Sequence, residues 1–169
     1  MNLKKKENSK LLISQNKKAF KDYFILDKFE AGIVLQGCEV KSVREHKINL
    51  KDSYARVKNG EIFIYNMHIS PYIHSRADEI KPLRVRKLLL NKREIIKISN
   101  KLNDKSLTLV PLSVYILRSI VKIELALAKG KLKGDKRSDI EKKESELEIR
   151  RALEKRNLSK TNISYKKVR

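Results

Sequence analysis

Val121, Ile123, Leu125 and Leu127 alternate with Lys122, Glu124 and Ala126. A period of two is the pattern of a strand with one face in a core and one face out. The preceding run, residues 107–115, is denser in apolar side chains and predicts another strand. Upstream, residues 53–57 and 61–69 flank Lys58-Asn59-Gly60, and Asn-Gly tolerates positive φ at both positions, so a tight hairpin is expected. In the second of these strands Ile62, Phe63, Ile64 and Tyr65 put apolar or aromatic groups on both faces, which predicts cover on both sides. Residues 23–35 are rich in β-formers, with a bend or bulge expected where Glu30-Ala31-Gly32 interrupts them. Val40 and Val43, three apart among charges, suit a short helix over 37–45. Leu88, Ile95, Ile98 and Leu102 recur at helical spacing and predict an amphipathic helix over 86–102. The sum is a mainly β body with some α: a small closed or nearly closed antiparallel barrel with two to three packed helices. Periodicity alone leaves an OB-like barrel, an SH3-like barrel and an open sheet as alternatives.

The two ends lack such patterning. Residues 1 to about 19 are rich in Lys and Asn and carry one short apolar patch, Leu11-Leu12-Ile13, so a mobile arm is expected. From Lys129 onward Gly130 and Gly134 punctuate a run of lysines. Ser138-Asp139-Ile140-Glu141 then fits a capping box. Glu146 with Arg150 and Asp139 with Lys143 stand at i,i+4, the spacing of supportive ion pairs. Ile140, Leu147, Ile149 and Leu153 form only a thin apolar stripe, and a helix with so little to bury is marginal in water. The expectation is a tail disordered alone and helical along an anionic surface.

Charge sharpens this picture. The 169 residues hold 41 Lys and Arg against 20 Asp and Glu, a formal net charge of +21. Such a field calls for a polyanionic partner, of which nucleic acid is the commonest. The competing partner, an anionic membrane, finds little support, because no apolar run approaches the roughly 18 residues that span a bilayer. Met1 to Lys6 is basic but is not followed by an apolar stretch of signal-peptide length. One cysteine, Cys38, makes no internal disulfide and fits a reducing compartment, so a cytoplasmic location is expected.

Candidate catalytic chemistry is sparse. His46, His68 and His74 show no metal-ligand spacing with Cys38 or one another, and there is no Gly-rich phosphate loop, C-x-x-C or H-E-x-x-H motif. Neither an enzyme nor a cofactor is expected, nor a small-molecule substrate. Asp22, Asp27, Glu30 and Asp52 would have to converge to serve a metal-dependent nuclease, and their spacing does not ask for it. Glu30 reads as a solvent-facing strand residue beside a bend, or as a hydrogen-bond acceptor to a guanine edge or exocyclic amine; the residues alone favour the former. Arg84, Arg86, Lys87, Lys92 and Arg93 form a basic cluster suited to phosphate. Tyr23, Phe24, Tyr54, Phe63 and Tyr65 could stack on bases, though in a small barrel without tryptophan most are expected in the core.

Ordered motifs then carry a specific resemblance: Asn16-Lys17-Lys18-Ala19, Tyr23-Phe24-Ile25, Phe29-Glu30-Ala31-Gly32-Ile33, Gly37-Cys38-Glu39-Val40-Lys41-Ser42, Lys51-Asp52-Ser53-Tyr54-Ala55, Asn66-Met67-His68-Ile69-Ser70-Pro71-Tyr72, Arg86-Lys87-Leu88-Leu89-Leu90-Asn91 and Ala128-Lys129-Gly130-Lys131. Over roughly residues 13 to 156 the chain resembles the small protein B (SmpB) family, bacterial partners of transfer-messenger RNA (tmRNA) in ribosome rescue. The resemblance implies an OB-like barrel that binds the tRNA-like domain of tmRNA, and a tail that enters the vacant mRNA channel of a stalled ribosome and becomes helical there. It implies an adaptor without chemistry of its own, organised as a basic arm over 1–15, a barrel domain over 16–130 and a tail over 131–169. By motif, Glu30, Leu89, Asn91, Asn16 and Lys17 map to one RNA-binding face, supported by Lys129. Lys131, Lys133, Asp135, Lys136 and Arg137 map to the tail near the small-subunit decoding centre. Two departures stand out: Leu132 and Gly134 replace a lysine and an aromatic of the family's tail, and Arg118-Ser119 stands where the family often has an Asn-Gly hairpin. The rival readings are a structural ribosomal protein or general structured-RNA binder, and a nuclease acting on stalled messages.

Overall fold

A computed structural model describes residues 10–73 and 81–132, with residues 134–135, 137, 144–145 and 148–151 beyond them. The chain divides into two compact units, residues 1–130 and 131–169. In the first, the order is β1 (Leu11–Gln15), α1 (Lys17–Asp22), β2 (Tyr23–Ile33), α2 (Gly37–Arg44), β3 (Ile48–Asn49), β4 (Tyr54–Lys58), β5 (Glu61–Tyr65), β6 (His68–Ile69), β7 (Arg86–Leu89), α3 (Lys92–Leu102), β8 (Leu107–Leu117) and β9 (Ile120–Gly130).

The alternating run read first in the sequence is β9, and it holds the architecture together. β9 pairs with β8 on one side and β2 on the other over most of its length. Together with the order β1-β8-β4-β5-β7-β2-β9, this closes six antiparallel strands into a ring with β1 appended to β8. The barrel is thinnest where β4 meets β8 through the single pair Ala55 and Leu109. Val121, Ile123, Leu125 and Leu127 face inward with Phe29, Ala31, Ile62, Ile64, Leu88 and Val114, and Ile98 of α3 packs into the same core. Ala126 and Ala128, on the outward positions, are also buried: with Val110 and Leu112 they receive Ala19 of α1. Small side chains there let a short helix lie against the sheet.

Both hairpins use two-residue turns in the left-handed region. Asn59 and Gly60 have φ of 52° and 73°, and Arg118 and Ser119 have 48° and 64°. Arg118-Ser119 thus keeps the length and backbone hand of an Asn-Gly turn, with residues less suited to it.

Five expectations are corrected. Leu11-Leu12-Ile13 is not part of a mobile arm but a strand on the β8 edge, with Ile13 in the core. In β2, Glu30, Ala31 and Gly32 pair regularly with Glu124, Ile123 and Lys122, and the irregularity falls at Leu26 instead. Gly32 serves a close approach rather than a bend, since a Cβ there would stand 3.3 Å from that of Leu89. The expected helix over 86–102 begins only at Lys92, after Asn91 and Glu94 form a capping box. Residues 86–89 are strand, and Leu88 matched the helical spacing by coincidence. Finally, β5 ends at Tyr65, and Ile69 and His68 pair with β3 in a separate two-stranded sheet. Only Ile62 and Ile64 of β5 are fully buried, so cover comes from one side.

The most demanding interaction joins α2 to β7. Arg86 and Glu39 are both fully buried. The Arg86 Nε and Nη2 donate to Glu39 Oε1 at 2.9 and 2.7 Å. Nη1 donates to the carbonyls of Met67 and Arg84, and Nη2 also to that of Pro82. Glu39 accepts further from Arg84 and from the Gln36 amide. Burial alone would raise its carboxyl, but the bonds from Arg84, the Gln36 amide and Arg86 outweigh this and hold the pKa below its ordinary 4.5. Removing one partner of a buried pair leaves the other uncompensated. Arg86→Met is therefore expected to cost about 3 kcal/mol in urea unfolding. Because the folded pKa of Glu39 is depressed, its contribution is complete above pH 4.5 and lost as pH falls through the folded value. Glu39→Gln should flatten that part of the acid-side stability curve.

Candidate nucleic-acid interface

The inward positions of Phe29 and Ala31 turn Glu30, between them, to the outer face of the barrel. There its carboxylate accepts a short hydrogen bond from the Tyr115 hydroxyl of β8 and an ion pair from Lys122 of β9 at 3.1 Å. Lys10, just before β1, stands 3.6 Å above the Tyr115 ring centroid. Tyr115 and Lys122 hold the Glu30 carboxyl below the ordinary carboxylate range, while burial and the Glu30 charge push the Tyr115 phenol up. Glu30 is thus an ionised acceptor, half-exposed, on a strongly basic protein.

Beside it the Gly32–Leu89 pair brings the end of β7 alongside β2. Glu30, Leu89, Leu90, Asn91, Glu94 and Lys122 line a cleft of about 420 Å³. Leu89, 52% exposed, offers an apolar surface within it. Three of the residues singled out in the sequence, Glu30, Leu89 and Asn91, therefore meet in one place. Lys10, Tyr115 and Lys122 were missed. The available signal was the outward phase of Lys122 beside Glu124; the partner of Tyr115 needed the β8–β9 register.

The remaining candidates lie elsewhere. Lys129 is exposed, opposite Phe24, toward the far end of the β2–β9 ladder from Glu30. Lys17 is exposed on α1. Asn16 lines a pocket beside α1 with its side-chain polar atoms engaged within the fold. It is buried, its Nδ2 donates to the carbonyls of Leu50 and Pro111 at 3.1 Å each, and its Oδ1 caps α1 by accepting from the Ala19 amide. These polar atoms hold α1 to the barrel. In the second unit Gly134, Asp135 and Arg137 are helical, and Asp135 accepts from the Leu132 amide at 3.0 Å. Lys131 is described too, whereas Lys133, Lys136 and the capping box expected at 138–141 lie outside the described residues.

The basic cluster divides in the same way. Arg84 and Arg86 are committed to Glu39, and Lys87 pairs with Glu61. Lys92 and Arg93 are exposed at the start of α3. The aromatic expectation reverses as well. Tyr23, Tyr54, Phe63 and Tyr65 are half-buried and Phe24 is exposed, whereas among the described residues the buried rings are Phe29 and Tyr115. Tyr54 and Tyr65 stack at 5.4 Å, with Arg56 over Tyr54. The four acidic residues do not meet in one place: Asp22 and Asp52 line a pocket beside Lys18, Asp27 pairs with Lys101, and Glu30 borders the cleft described above. Among the described residues no His, Cys, Asp and Glu cluster could hold a metal ion, and no helix is long and apolar enough to cross a membrane. His46 instead bonds the Ile13 carbonyl through Nδ1 at 3.0 Å, His68 is exposed on β6, and His74 lies outside the described residues.

The family model described as SmpB protein matches residues 13–155. A protein of Caldicellulosiruptor bescii named SsrA-binding protein is 52% identical over 153 residues, covering 90% of this chain and 97% of its own. One of the same name from Halothermothrix orenii is 55% identical over 145 residues, covering 86% and 94%. A solved chain reported under "tmRNA-SmpB: a journey to the center of the bacterial ribosome" superposes with a TM-score of 0.61 at 41% identity, covering 75% of this chain and 93% of that one.

The structural role of Asn16 has a direct test. Asn16→Ala removes a helix cap and the Nδ2 donor of the Pro111 carbonyl, while the Leu50 carbonyl keeps the Ser53 amide and hydroxyl, and is expected to cost about 2 kcal/mol in urea unfolding. A cost below about 0.5 kcal/mol, as for an ordinary surface change, would count against that role.

Proposed function

The chain belongs to the SmpB family, and from that premise we propose that it binds tmRNA and delivers it to stalled ribosomes for trans-translation. The observation that carries this reading is the cleft where Glu30, Leu89, Asn91 and Lys122 meet on a chain of net charge +21. The OB-like barrel, residues 16–130 with β1 added to it, takes the tRNA-like domain. Glu30 and Asn91 contribute polar contacts, Leu89 an apolar one, and Lys17, Lys122 and Lys129 meet phosphates. Asn16 acts by holding α1 in place.

The tail, residues 131–169, serves the ribosome. Lys131, Lys133, Asp135, Lys136 and Arg137 approach the small-subunit decoding centre, and the residues beyond follow the vacant mRNA channel. Gly134 offers no ring to stack there, so the neighbouring cations carry that step. The protein is an adaptor that works in the cytoplasm and catalyses no reaction.

The test is affinity for a transcript of the tRNA-like domain, full-length chain against a chain ending at Gly130, at one near-physiological salt concentration. Affinities within about threefold, under about 0.7 kcal/mol, are expected if the barrel alone makes the recognition. A larger loss would make the tail part of the RNA grip. Equal binding of an ordinary tRNA would favour a structured-RNA or ribosomal protein instead. Affinity should also fall with salt, with a log–log slope of about −0.7 for each single-stranded phosphate met.

A further inference from the structure

Tyr115 is only 1% exposed, yet it belongs to the outer face of the barrel. Its strand neighbours Val114 and Ile116 pack into the core, and its ladder partners are Leu12 of β1 and Lys122 of β9. Its ring lies under the Lys10 ammonium, and its hydroxyl reaches the Glu30 carboxylate on β2, the strand beyond β9. The phenol is thus anchored on three adjacent strands and directed at a fourth.

We propose that Tyr115 is a positioning residue for Glu30: its hydroxyl holds the carboxylate beside the Leu89–Asn91 cleft, where the remaining lone pairs accept from the donor edge of an unpaired nucleobase. This rests on Glu30 being an RNA contact, as argued above. An ionised carboxylate has about four acceptor sites. Tyr115 and Lys122 occupy one each, and the side chain is still 49% exposed, so acceptor capacity faces outward. Glutamate is otherwise flexible, and a side chain that must be ordered on binding weakens the complex. Restraint by a buried phenol removes that cost before RNA arrives. The other charged or polar groups around the carboxylate are Lys122 and Glu124 on β9, Lys10 before β1, and Asn91 and Glu94 at the start of α3.

Three variants of the full chain, Glu30→Gln, Tyr115→Phe and the pair together, test this by binding to the tRNA-like-domain transcript from about pH 4 to pH 8 at fixed salt, a range that reaches the ordinary carboxylate pKa. Glu30→Gln is expected to weaken binding about tenfold and Tyr115→Phe about fivefold, from the strength of charged hydrogen bonds. The double variant should bind no more weakly than Glu30→Gln, because the phenol acts only through that carboxylate. Tyr115→Phe removes a donor that keeps Glu30 ionised, so its binding should fail at higher pH on acidification than the wild type. Purely structural packing by Tyr115 would instead give the same loss in the Glu30→Gln background, with parallel pH profiles, and that result overturns the proposal. Wild-type affinity in Tyr115→Phe overturns it too. If Glu30→Gln itself binds like the wild type, the underlying contact reading falls as well. Should Tyr115→Phe not fold, NMR titration of the Glu30 carboxyl in the wild-type chain decides: a midpoint at or above 4.5 overturns the restraint.

Discussion

A guanidinium and a carboxylate buried together make the fold conditional on geometry. Desolvating both ions costs several kcal/mol, which only complete hydrogen bonding offsets. Arg86 meets that condition by directing all its N–H groups at Glu39 and at the carbonyls of Met67, Pro82 and Arg84. The pair therefore fixes the start of α2, the turn after β5 and the approach to β7 at once. β7 lies between β5 and β2 and ends in Leu89, so the cleft inherits its position from a charge pair on the other face of the same strand. An apolar pair of equal volume could fill the space, but it would take a donor from each of those three carbonyls, of which that of Pro82 also accepts from the Ile69 amide.

The same logic governs the other acids. With 20 carboxylates against 41 cations, an acid on this protein generally has a cation near it, and the structure uses several as fasteners between elements. Asp27 joins β2 to α3 through Lys101, Asp52 holds Lys18 of α1, and Glu61 meets Lys87 across the β5–β7 pair. These pairs are exposed and individually worth little. Glu30 differs in kind. Its donors include a buried phenol, and it borders a cleft rather than a second helix or strand face.

What the sequence disclosed follows the range of the forces involved. β9 was legible because alternation is local, and the Asn59-Gly60 hairpin because turn chemistry is local. β1 was not: Leu11 and Leu12 stay exposed, and Ile13 alone enters the core, so the strand exists through its pairing with β8 rather than through its pattern. Arg86 misled twice, as a helix residue and as a phosphate contact, because a buried arginine is explained only by a glutamate 47 positions away. Glu30, Leu89 and Asn91 were found through motif resemblance, not periodicity. Tyr115 escaped both, being one phenol in an apolar strand whose partner lies 85 residues distant.

A negative group at the proposed RNA contact of a basic protein has a physical use. Lysine contacts to phosphate supply affinity that is blind to sequence and screened by salt. A carboxylate repels phosphate and rewards only a partner that presents hydrogen-bond donors, so it adds discrimination while lowering bulk attraction. Such a group works only if its orientation is settled before binding, since a mobile glutamate would turn toward the nearest lysine. Lys122 alone would draw the carboxylate toward itself; the phenol of Tyr115, fixed in the sheet and uncharged, holds it without cancelling its charge. In the proposed function the basic tail meets a different demand, a long anionic channel rather than one RNA edge, and its composition offers charge and few apolar side chains.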